Sequence, residues 1–61
     1  MFWVMEYGAE IGTLKNIFRE KGHAVYFVQK VIRESGSAYV QIKPCHWYCK
    51  EKNEYIEILA A

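Results

Sequence analysis

Ala24 to Arg33 reads A-V-Y-F-V-Q-K-V-I-R, and the fold turns on how this run is read. As an extended strand it carries apolar side chains on both faces. Val25, Phe27 and Val31 point one way, and Tyr26, Val28 and Ile32 point the other. A chain of 61 residues can cover one face of a small sheet with a helix and has little left for the second. The surplus apolar face therefore predicts a partner, either another copy or a different protein.

The neighbouring segments build a domain around that strand. Phe2 to Tyr7 (F-W-V-M-E-Y) is aromatic and β-branched and closes at Gly8, as a strand does. From Ala9 to Lys21 the period changes. Ile11, Leu14, Ile17 and Phe18 fall within roughly a 120° arc at helical spacing. Gly22 stands where a helix-terminating glycine would, after the cations Arg19 and Lys21. Thr13 could cap a shorter helix from Leu14. Glu34-Ser35-Gly36-Ser37 signals a turn, and Ala38 to Lys43 alternates and should return antiparallel to the central strand. Pro44 cannot donate to a ladder, so it marks an edge, bulge or corner. His46 to Lys50 resumes as a strand, Glu51 to Glu54 turns, and Tyr55 to Leu59 forms the last strand.

These elements predict one α+β domain spanning residues 1–61: a three- to five-stranded, mostly antiparallel sheet with one helix on a face, in the order β-α-β-β-β. Ile11, Leu14, Ile17 and Phe18 should meet the central strand. The competing reading dissolves the helix into strands and gives a small all-β barrel of SH3 or OB type. The expected order loosely resembles the double-stranded-RNA-binding-like fold of small mRNA-cleaving toxins. Their Gly-Ser-His stretch is not present, since Ala38 follows Gly36-Ser37, so no family is assigned.

Composition narrows function. At 52% hydrophobic and 16% aromatic, the chain has enough apolar content to fold rather than stay disordered. A core this small is rarely worth more than roughly 3–5 kcal/mol, so association or a staple is expected to help. Eight Lys and Arg against seven acids, all Glu, give +1, without the basic excess of a dedicated nucleic-acid binder. With no signal-peptide pattern and no apolar run of about 18 residues, a cytoplasmic protein is expected. Beginning at Met1, it reads as a whole short reading frame.

Candidate chemistry is sparse. Cys45 and Cys49, with His46 and His23, could supply zinc ligands. However, C-x3-C in a strand sets the thiols about 13 Å apart, too far for one ion or a disulfide. A Cys–His nucleophile pair would need a pocket that so small a sheet hardly provides. The glycines match no phosphate-binding pattern. No enzymatic activity, cofactor or metal is expected.

The aromatic surplus remains. Phe2, Trp3, Tyr7, Tyr26, Tyr39, Trp47, Tyr48 and Tyr55 lie on or beside predicted strands, and Tyr and Trp dominate protein interfaces. Tyr26, Tyr39, Trp47 and Tyr48 are the expected partner-binding residues. The function expected is a non-enzymatic modulator or inhibitor that docks on a larger host protein or complex by a sheet face or edge, of the kind phages and mobile elements encode. Homodimerisation is a further possibility. The alternative is an RNA- or DNA-binding module, with Lys15, Arg19, Lys30 and Arg33 as contacts beside stacking rings.

Overall fold

A computed structural model describes residues 1–8 and 12–61. The elements are β1 (Phe2–Tyr7), β2 (Gly12–Phe18), α1 (Lys21–Ser35), β3 (Tyr39–Lys43), β4 (His46–Cys49) and β5 (Glu54–Ala60). The strands form one antiparallel sheet in the order β2-β1-β5-β4-β3, with the helix on one face. This is the expected small α+β class. The β-α-β-β-β order holds from β2 onward, with β1 in front of it. The sheet is open, with β2 and β3 as its edges, and is not a barrel.

Two segments exchange the roles expected of them. Ala24–Arg33 is helical, inside α1, and Gly12–Phe18 is strand β2 where a helix over residues 9–21 is expected, residues 9–11 of that stretch lying outside the described residues. Read as a strand, Ala24–Arg33 would set Gln29 among the apolar residues of one face and Lys30 among those of the other. At helical spacing, Ala24, Val25, Phe27, Val28, Val31 and Ile32 gather within about 160°, and Tyr26, Gln29, Lys30 and Arg33 take the opposite side. Ala24 and Val28 are buried as a result. The Gly12–Phe18 segment contains Gly12, Thr13 and Asn16, all weak helix formers, and it finds ladder partners along β1. Of the four residues expected beneath a helix, Phe18 reaches the core against Phe27, with ring centroids 5.4 Å apart. Leu14 and Ile17 remain exposed, and Ile11 lies outside the described residues.

Gly22 does not stop a helix; it lies in the first turn of α1, after the capping position Glu20. The stop is Gly36, in the left-handed region at φ 68°, a conformation that costs a residue with a Cβ about 1 kcal/mol. Ser35 Oγ donates to Ile32 O and accepts from Ser37 N, closing the turn.

Topology explains why only one face is covered. The helix leaves edge strand β2 and delivers the chain to the opposite edge, β3. Five strands span about 19 Å between their outer axes, and a helix of 15 residues runs about 22 Å. One crossing therefore uses up the helix. It packs on β1, β2 and β5 over a core of Val4, Ala24, Val28, Trp47, Ile56 and Ile58. Ala38–Lys43 does not pair with residues 24–33. Instead β3 forms a hairpin with β4, the chain turning at Pro44-Cys45.

Candidate docking face

Residues paired across an antiparallel ladder share a face, so the register sorts every side chain. Val4 pairs with Ile58, Ile56 with Trp47, and Cys49 with Tyr39; this is the helix side. The other side takes the alternate positions. Trp3 lies between Ile17 and Leu59, and Met5 between Leu14 and Glu57. Tyr7 is followed by Tyr55, Tyr48 and Val40 across four strands.

No element of the described chain covers this second face. Trp3, Leu14, Ile17, Leu59 and Val40 are between 40% and 62% exposed, as is Ile42 at the β3 bulge. Monomeric surfaces seldom leave so many large apolar side chains together without a use for them. The face measures roughly 20 Å each way, or about 400 Å2, from strand spacing and rise.

At its centre is a polar group ringed by aromatics. Glu57 is the middle residue of β5, which is the middle strand. The Tyr7 hydroxyl donates to Glu57 Oε1, and His46 Nδ1 stands 3.7 Å from Oε2. Tyr55 packs against three rings: Tyr48 at 4.7 Å, His46 edge-on at 5.3 Å and Tyr7 at 6.0 Å. Burial, together with the adjacent Glu57 carboxylate, pushes the Tyr7 phenol up to about 12, so it stays a proton donor to the carboxylate at neutral pH. His46 Nε2 is buried with no hydrogen-bond partner.

Of the four residues expected to bind a partner, only Tyr48 lies on this face. Tyr26 is 64% exposed on the outer side of α1. Tyr39 faces the helix side, where its hydroxyl donates to Glu54 Oε2 at 3.2 Å; burial and that carboxylate raise it to about 12. Trp47 is a core residue at 6% exposure, not a surface ring, because its pairing with Ile56 turns it under the helix. Its place is taken by Trp3, Tyr7 and Tyr55, members of the aromatic surplus that the sequence does not mark as partner-binding, with His46 and with Glu57, which residue type alone does not single out. The alternation Tyr55-Ile56-Glu57-Ile58-Leu59 was the available signal, but it does not say which set meets the helix.

The cations are dispersed. Lys15, on β2, reaches Glu6 at 3.6 Å on the helix side, and Arg19 follows the end of β2. Lys30 and Arg33 are on exposed positions of α1. Lys15, Lys30 and Arg33 do not stand among the rings of the open face. Lys43, opposite His46 in the β3–β4 ladder, shares that face, so the rings are accompanied by a single lysine rather than by a set of phosphate-binding cations. The cysteines are free; Cys49 is buried on the helix side and Cys45 is half-buried in the turn before β4.

Comparison of the chain with models of known families, with curated proteins and with solved structures gives no match. No helix of the described residues is long and apolar enough to cross a membrane.

Proposed function

We propose that the chain acts without chemistry of its own, docking on a larger protein through the helix-free face of its sheet and so modulating or inhibiting it. One observation carries this reading: the sheet face opposite α1 leaves five large apolar side chains, Trp3, Leu14, Ile17, Val40 and Leu59, 40–62% exposed around a ring of aromatics. Such a surface stabilises a complex by burial, with Trp and Tyr as anchors of low rotamer entropy. The unpaired edge of β3 adds main-chain donors and acceptors that a partner strand can meet.

The test uses paired variants of the whole chain. Leu14→Glu with Val40→Glu places charge on opposite flanks of the face, and Tyr26→Ala alters only the outer side of the helix. A partner protein retained by wild type and Tyr26→Ala, and lost with the double variant at unchanged circular dichroism, is the expected result. A partner held equally by all three folded proteins would sink the reading.

A further inference from the structure

The open face is not uniformly apolar, and its centre restricts what can cover it. Glu57 is surrounded by Met5, Tyr7, His46, Tyr55 and Leu59 through ladder and same-strand neighbours. Its side chain is 28% exposed. Among the described residues, no Lys or Arg forms an ion pair with it. Lys43 shares this face but lies one strand farther away, opposite His46, and His46 stands between them with Nδ1 3.7 Å from Oε2. The Nε2 of that imidazole is buried without a hydrogen-bond partner.

Any body that covers the face takes this carboxylate out of water. Desolvating an ionised carboxylate costs several kcal/mol unless the cover brings a matching charge. Lipid hydrocarbon brings none, and a phosphate backbone brings the wrong sign. A second copy, docked face to face about a two-fold axis, would set Glu57 against its own mate, because the residue sits at the middle of the middle strand. A cation is the occupant that fits. The rings of Tyr7, Tyr48 and Tyr55 present π surface beside the carboxylate, and aromatic faces attract guanidinium and ammonium groups.

Resting on the docking reading above, we infer that the face receives a protein segment carrying one arginine or lysine, set over Glu57 and the three tyrosine rings, with apolar side chains on either flank. Trp3, Leu14 and Ile17 receive one flank and Val40 the other. The Tyr7 hydroxyl holds one carboxylate oxygen in place and leaves lone pairs on both oxygens for the incoming donor.

A random-peptide display library panned on the immobilised protein tests this. The expected peptides carry one Arg or Lys between apolar residues. They should bind wild type at least about tenfold more tightly than Glu57→Gln, which keeps an acceptor for Tyr7, a difference of about 1.4 kcal/mol. Tyr48→Leu should weaken them as well. Enrichment of uncharged or acidic peptides, basic peptides that bind Glu57→Gln as tightly, or no enrichment overturns the inference. Uncharged peptides that are lost in the Leu14→Glu, Val40→Glu protein would overturn it while leaving the docking reading in place. Peptides indifferent to both sets of variants would remove that reading too. Self-association by light scattering, abolished by Trp3→Glu, would assign the face to a second copy and likewise overturn the inference.

Discussion

The Tyr7 hydroxyl meets the Glu57 carboxylate across the β1–β5 pair, although the two residues stand 50 positions apart in the chain. Their contact is diagonal: Tyr7 is directly opposite Tyr55, and Glu57 is opposite Met5. The hydrogen bond therefore ties two successive pairs of the central ladder together on the side that the helix leaves bare.

Removing that hydroxyl should loosen the centre of the face without unfolding it. Tyr7→Phe is expected to cost about 1 kcal/mol, below the roughly 1.5–3 kcal/mol of a hydrogen bond to a charged group, because water can partly replace the hydroxyl at this half-buried site. Urea denaturation measures it, and an unchanged midpoint would mean the bond contributes nothing in solution.

The two tryptophans should behave as different residues. Trp47→Ala opens the core and is expected to cost about 3 kcal/mol or more, enough to unfold so small a domain. Trp3→Ala, on the uncovered face, should cost about 1 kcal/mol or less. Quencher access in single-tryptophan proteins gives the same ranking: Trp3 quenched readily, Trp47 protected. Equal quenching would contradict the register of β4 on β5.

Two glycines should respond with opposite signs. Gly36→Ala forces a Cβ into the left-handed region at φ 68° and should destabilise by about 1 kcal/mol. At Gly22, in the first turn of α1, an added Cβ meets nothing within 4 Å. Gly22→Ala should therefore stabilise by roughly 0.5–1 kcal/mol through a less flexible unfolded chain. Thermal melts decide it; the reverse pattern would put the helix before Gly22.

Alkaline pH should weaken the fold through Tyr7 and Tyr39. Both phenols are raised from 10.0 to about 12, first by burial and then by Glu57 and Glu54. A raised folded-state value means that the native chain holds these protons more tightly than the unfolded chain does. Their contribution is fully present below pH 10 and is lost as pH rises toward about 12. Tyr7→Phe with Tyr39→Phe should flatten the fall in stability between those limits, followed by denaturation at a series of pH values.

Much of the sheet was legible from residue type. The aromatic and β-branched run Phe2–Tyr7, the alternation of Tyr39–Lys43 and of Tyr55–Leu59, and the break at Pro44 each specify local conformation through propensity and turn chemistry. So does an apolar content larger than one helix can hide. The central stretch was not legible in this way. Ala24–Arg33 can be read as a strand with apolar side chains on both faces, and it satisfies helical spacing throughout. Gly12–Phe18 has an apolar pattern that a helix and an edge strand both accept. Local pattern leaves such segments nearly balanced, and long-range contacts settle them. Val28 and Ala24 gain burial against Val4 and Ile56 only if that segment is the helix, and β2 gains its ladder only beside β1.

The chain's own residues thus determined that there would be an antiparallel sheet, one helix and an excess of rings. Tertiary structure decided which rings are free. A strand's two faces differ by a single position, and only pairing to a neighbour states which face meets the helix. That is why Trp47 is inside and Trp3 outside, and why Glu57, an ordinary strand-alternation glutamate in the sequence, stands at the centre of the uncovered face.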